Sequence, residues 1–277
     1  MTILSPISKT TSSSGGSAHP DQISDKKYSY SDTFYRYIQA GSVRSANHVV
    51  PLVQRELSPR SVLDVGCGAG AWLSVYSKQG VADYLGVDGA YVQPESLLIP
   101  AQCFQPQDIT QEFDLNHRFD FVQCLEVGEH LPTRFSSTLV DNLVRHGDRI
   151  LFSAATPGQG GENHINEQTH EFWRQLFDRH GYKPFDVFRP MVKGVPGVES
   201  WYRYNMILYV AEAVIPALPA AVLSSAIRDG QAIPQVASIF YRVRASILTF
   251  LPAWCVSKIA LAKHRLVIAS RSLRRSQ

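Results

Sequence analysis

The chain has 277 residues, 44% hydrophobic and 10% aromatic, enough for one generous domain with additions or two small ones. Its net charge of +3 is too small to imply nucleic acid by itself. Four scattered cysteines without a CxxC pair argue against a cysteine zinc site or a disulfide framework, and for a reducing, cytoplasmic setting.

Residues 1–25 are polar and Ser/Gly-rich; they carry no secretory pattern and read as disordered. From Tyr28 the composition turns aromatic (Tyr28, Tyr30, Phe34, Tyr35, Tyr37), and Ser31 or Asp32 can cap a short helix. A second helix is expected from Val50 to Leu57, with Pro51 in its first turn. Strand patterns then follow at 61–66, 82–88, 101–105, 119–124 and 148–154, with helices at 70–79 and 135–145. Thr169 caps a helix reaching His180, with His170 on its surface and Gly181 as its stop. Late strands are read near 183–189 and 203–211. Such alternation predicts an α/β fold with a mostly parallel sheet, helices on both faces, and ligands beyond the carboxyl ends of the strands.

The expected organisation is a disordered 1–25, a catalytic domain over 26–212 and a basic helical extension over 213–277. Residues 231–277 hold eight Lys/Arg and no Asp or Glu, interleaved with apolar residues and broken by Pro252. A segment of this kind can lie on an anionic membrane surface, and no uncharged run is long enough to span one. It can also pack on the domain with a solvated basic face; nucleic acid is the less favoured partner.

The chemistry centres on Ser61–Gly70, a buried-strand run ending in Gly66, Gly68 and Gly70 before a helix. Glycines at a strand-to-helix turn let backbone N–H groups face a ligand. With Ala71 the turn also satisfies the dinucleotide pattern G-x-G-x-x-A, so a nicotinamide enzyme stays open; a Walker-type loop does not, since no Gly-Lys-Ser/Thr follows. Asp88 ends the next strand, where a carboxylate can accept from both ribose hydroxyls. Asp108 follows the third strand, where an acceptor can meet an exocyclic adenine amine. Asp64 lies beside the turn; its charge repels a pyrophosphate and suits a ligand with a cationic amino acid end.

Ser61–Leu73, Asp88, Asp108 and the stretch Phe119–Leu131 together resemble the class I S-adenosylmethionine-dependent methyltransferases. The resemblance spans about Ser61 to Val210. It implies a Rossmann-like seven-stranded sheet whose last strand, Tyr204–Val210, inserts antiparallel. It further implies that Gly66, Gly68 and Gly70 line the methionine and ribose portion. Asp64 would lie near the amino end, Asp88 would hold the ribose, and Asp108 with Ile109 would contact the adenine.

Glu126, Glu129 and His130 follow the fourth strand, and His164 stands five residues before Thr169. These oxygen and nitrogen ligands suit Mg²⁺, Mn²⁺ or Zn²⁺. The spacing looks like that of metal-assisted O-methyltransferases of the ubiquinone pathway and of small-RNA 2′-O-methylation, in which a cation polarises the acceptor hydroxyl. A metal-free base at His130 or His164, assisted by Glu129, is the other chemical reading, and a structural role a third. The loop Pro157–Gly161 is placed to line the acceptor pocket. The expected function is O-methylation of a small molecule, sugar or lipid-linked acceptor; a metal-assisted RNA 2′-O-methyltransferase and a nicotinamide oxidoreductase are the alternatives.

Overall fold

The computed structural model describes residues 32–251 together with Cys255 and Lys258, with side chains from Gln39 onward. The expectations for residues 1–25, for the aromatic side chains of 28–37 and for the tail beyond 251 lie outside the described residues.

A single helix, α1 (Asp32–Leu57), opens the fold, where the sequence suggested two. Pro51 lies inside it, and a helix-interior proline costs about 3 kcal/mol. The apolar stripe Ala46, Val49, Val50, Val53 and Leu57 runs unbroken past Pro51 and is buried along its whole length. Each buried valine or leucine contributes about 1.5–3 kcal/mol, so the stripe outweighs the proline.

The core elements follow as β1 (Ser61–Val65), α2 (Ala71–Lys78), β2 (Asp83–Asp88), β3 (Phe104–Pro106), β4 (Phe121–Leu125), α3 (Ser136–His146), β5 (Arg149–Ser153), α4 (His170–Asp178) and β6 (Tyr182–Phe185). Two short helices, α5 (Phe188–Met191) and α6 (Ser200–Asn205), precede β7 (Ile207–Ala211). Then come α7 (Ala220–Leu223) and α8 (Ile239–Leu248). The seven strands are ordered β3-β2-β1-β4-β5-β7-β6. All neighbours are parallel except β7, which runs antiparallel between β5 and β6.

Both sheet faces are buried, and the strand period of two distributes side chains between them. Along β7, Leu208 and Val210 join α1, α2 and α6 on one face, while Ile207 and Tyr209 join α3 and α4 on the other. The strand expected at 203–211 is shortened by α6. Tyr202 in that helix packs edge-on against Trp72 at 5.0 Å and shares a 3.0 Å hydrogen bond with Ser42, contacts an extended chain would lose. The strand expected at 183–189 stops at Phe185: buried Arg189 makes a bidentate pair with Asp186 (2.7 and 2.8 Å) and donates to the Tyr204 carbonyl, turning the chain into α5. Beyond residue 212 the chain still feeds the core through Leu218, Val222 and Ile227. No described helix is long and apolar enough to cross a membrane.

The strand order reverses between β1 and β4. In open α/β sheets this reversal opens a crevice at the carboxyl ends.

Candidate active site

Two tight turns meet at that crevice. After β1 the chain turns through Gly66, Gly68 and Gly70, all with φ between 54° and 78°, where a side chain is strained. After β4 it turns through Glu126, which has φ 56° without being glycine. The turns touch: a Cβ on Gly66 would lie 2.4 Å from Val127, so glycine is needed for closeness as well as for φ.

Asp88 ties the glycine turn to β2. Its Oδ2 accepts from Gly68 N–H and its Oδ1 from Gly89 N–H, both at 2.7 Å, and the Tyr91 hydroxyl donates to Oδ1 as well. Burial pushes its carboxyl up, and these donors partly offset it. Asp64 lies on β1 in register with Gln123 of β4, both wholly inside the protein. Burial raises its pKa to about 7; the Gln123 amide lowers it somewhat and the Asp88 carboxylate raises it further. Asp64 Oδ2 has no hydrogen-bond partner. Asp108 is exposed, its Oδ1 accepting from Thr110 N–H (3.0 Å) and hydroxyl (2.6 Å); Ile109 is buried. The loop carrying both is fixed to β2 by Gln107 N–H on the Asp88 carbonyl at 2.7 Å.

Beyond β4, ligand atoms of Glu129, His130 and His164 lie within 4.8 Å of one another. Glu129 is buried, and both its carboxylate oxygens lack a hydrogen-bond partner. Burial, then the neighbouring Glu126 carboxylate, push its pKa well up. His130 has a pKa lowered to about 4 by burial and by nearby His164, so its ring is neutral at pH 7. The two rings meet edge-to-face at 5.0 Å. His130 Nδ1 faces the Asn163 carbonyl at 3.2 Å and His164 Nδ1 faces Glu167 Oε1 at 2.8 Å. With both Nδ1 atoms engaged by acceptors, each ring has its Nε2 lone pair left for a ligand.

Glu126 does not join this trio. Its Oε2 accepts from Gln159 at 2.8 Å and its Oε1 from Asn205 at 3.1 Å. Asn205 also donates to Gln159 Oε1 at 2.8 Å, closing a ring of three side chains from β4's end, the 157–161 loop and α6.

Several supporting residues carry no sequence pattern of their own. Glu167 gathers the loop, accepting from Gly158 N–H (2.8 Å) and Gly160 N–H (2.7 Å) besides His164. Buried Asn166 donates to the Gly128 carbonyl at 3.0 Å and to Ser136 at 3.1 Å, pinning the His164 segment to the Glu129 turn. Gly161 leaves room for His164, whose Nε2 would lie 2.0 Å from a Cβ there. His170, expected on a helix surface, is half-buried with its Nε2 inside.

Residues 41–146 match a family model described as a methyltransferase domain. A ubiquinone biosynthesis O-methyltransferase of Neisseria meningitidis serogroup C (strain 053442) is 27% identical over 157 residues, which is 47% of this chain and 65% of that protein. The protein of the same name from Coxiella burnetii (strain Dugway 5J108-111) is 30% identical over 112 residues, 36% of this chain and 45% of the other. The chain thus matches less than two thirds of the length of either. Among solved structures, the sugar N-methyltransferase KedS8 from Streptoalloteichus sp. ATCC 53650 superposes with a TM-score of 0.52 at 17% identity, covering 73% of this chain and 99% of that one. That likeness is one of fold.

Proposed function

We propose that this chain is an S-adenosylmethionine-dependent O-methyltransferase, since residues 41–146 match a methyltransferase-domain family model and the sheet has the class I order with β7 antiparallel. Its acceptor is a hydroxyl on a small molecule, sugar or lipid-linked compound. The observation that carries the reading is the buried Asp64 carboxylate, lacking a partner at Oδ2 beside the glycine turn. A carboxyl held at a pKa of about 7 is costly to keep ionised and is relieved by a cationic ligand. The amino acid end of S-adenosylmethionine supplies such a cation; a dinucleotide pyrophosphate does not. The antiparallel β7 also departs from the all-parallel dinucleotide order.

In this reading Asp64 pairs with the ammonium. Asp88 binds the ribose through Oδ1, where the Tyr91 hydroxyl already marks a donor position. Asp108 and Ile109 flank the adenine. Gly66, Gly68 and Gly70 keep side chains out of the donor's path. Bound there, the sulfonium supplies an already activated methyl, so holding donor and acceptor in line is the main demand on the protein.

The donors of Glu129, His130 and His164 fit a divalent cation. One carboxylate with both oxygens unpartnered and two imidazoles with engaged Nδ1 atoms form an oxygen-and-nitrogen set. A cation held there would lower the pKa of an acceptor hydroxyl. Glu126 is a positioning residue, its carboxylate held off the trio by Gln159 and Asn205. Without a cation, the same Nε2 lone pairs make neutral His130 and Glu167-oriented His164 the candidates to take the acceptor proton. Four free cysteines support action in a reducing cytoplasm.

The test is transfer of labelled methyl from S-adenosylmethionine to a panel of phenols, sugars and lipids, with and without EDTA. Transfer to a hydroxyl acceptor that EDTA abolishes supports the whole reading. Transfer indifferent to EDTA removes the cation, and transfer only to amines removes the O-methyl assignment.

A further inference from the structure

Helix α8 has two unlike faces. Its inner face lies on the 157–161 loop: the Tyr241 hydroxyl meets Gln159 Oε1 at 3.1 Å, Arg244 donates to the Gln159 carbonyl at 3.0 Å, and Tyr241 packs on Tyr204 at 4.9 Å. The fit is close, since a Cβ on Gly158 would fall 2.2 Å from the Ala245 carbonyl oxygen. Its outer face presents Ile239, Val243 and Ile247, spaced by four residues and all exposed, with Phe240 beside them and Phe250 following just past the helix end. Phe240 is 85% and Phe250 88% exposed. Five large apolar side chains bared on this helix and the turn after it form a patch that water does not favour.

The chemistry around the patch identifies its partner. Arg242 sits within it, exposed. In sequence, and leaving aside Arg244 on the inner face, the segment 231–277 holds six more Lys/Arg and no acid, although the remainder of the chain is net acidic. Aromatic and aliphatic residues flanked only by cations are the composition of a helix lying in the headgroup region of an anionic bilayer. In a self-complementary contact a second copy of this chain would meet the same cations with cations.

We propose that the outer face of α8 docks on anionic phospholipid, with Phe240 and Phe250 inserted and Arg242 at the headgroups. Because the inner face of the same helix rests on Gln159, which holds Glu126, docking sets the acceptor-side loop at the membrane. The docking surface itself stands whether or not methyl transfer is the activity.

The test is co-flotation of the full chain with phosphatidylcholine vesicles, with or without phosphatidylglycerol, beside F240D/F250D. Neither residue touches the site, so circular dichroism and S-adenosylmethionine binding of the variant serve as folding controls. The expected result is binding to the anionic vesicles only, weakened as salt rises from about 0.1 to about 1 M, and at least about tenfold weaker for the variant. Failure of the full chain to bind anionic vesicles overturns the proposal. So does a concentration-dependent dimer that F240D/F250D dissociates, binding only after truncation at residue 251, or equal binding of the folded variant.

Discussion

Asp64→Asn separates the stability of the empty protein from its capacity to bind. In the folded chain the Asp64 carboxyl titrates near 7 instead of 3.8, chiefly because it is buried. The folded state therefore holds one more proton than the unfolded state between those two values, and stability falls as pH rises through that window. A displacement of about three pH units corresponds to about 4 kcal/mol at pH 8, where the buried carboxylate is ionised. Asparagine is nearly the same shape and cannot ionise. The substitution is expected to stabilise the ligand-free protein at pH 8 by about 2–4 kcal/mol, or roughly 5–15 °C in a domain of this size. The gain should shrink steadily toward pH 5. The same variant should bind S-adenosylmethionine at least about tenfold more weakly, having lost the partner of the ammonium. Scanning calorimetry at pH 5, 6, 7 and 8, with and without the ligand, reads both effects. A stability change independent of pH, or a loss of stability at pH 8, would refute the reasoning.

Gly70→Ala places a Cβ at φ 77° and 2.8 Å from Ile99, and should cost about 2 kcal/mol by urea denaturation while weakening donor binding. Glu129→Gln and His164→Ala should each reduce bound Mn²⁺ or Zn²⁺ by at least about tenfold in equilibrium dialysis, whereas Asp108→Ala should leave it unchanged. Glu167→Gln takes the charge from the acceptor of two backbone N–H groups and His164. It should lower stability by about 1–3 kcal/mol and speed proteolysis within 157–165.

The strands β1, β2, β4 and β5 and the glycine turn were legible because they rest on local rules. Runs such as Val62–Val65 and Phe121–Leu125 are β-prone and apolar but for Asp64 and Gln123, and Gly66, Gly68 and Gly70 announce a turn that only glycine makes easily. The joining of α1 across Pro51 was not legible, since a buried stripe overrides a local proline penalty only once its partners are in place. Of the four ligands proposed from spacing, Glu129, His130 and His164 converge; Glu126 does not. What turns it aside is Gln159 and Asn205, 33 and 79 residues away, neither in a recognisable pattern. Glu167 was hidden for a similar reason: a carboxylate capping two glycine N–H groups is visible only when the loop has closed around it. The basic tail showed its charge in sequence, but the division of α8 into a loop-binding face and an exposed apolar face depends on what it packs against.

Calorimetric titration of the full chain with S-adenosylmethionine and, in parallel, NADH measures directly which ligand the glycine turn takes. The expected result is one saturable site for S-adenosylmethionine, lost in Asp88→Ala, with release of up to one proton near pH 7 as Asp64 ionises, and no heat from NADH. Saturable NADH binding, or no binding of S-adenosylmethionine by the folded chain, would contradict the assignment.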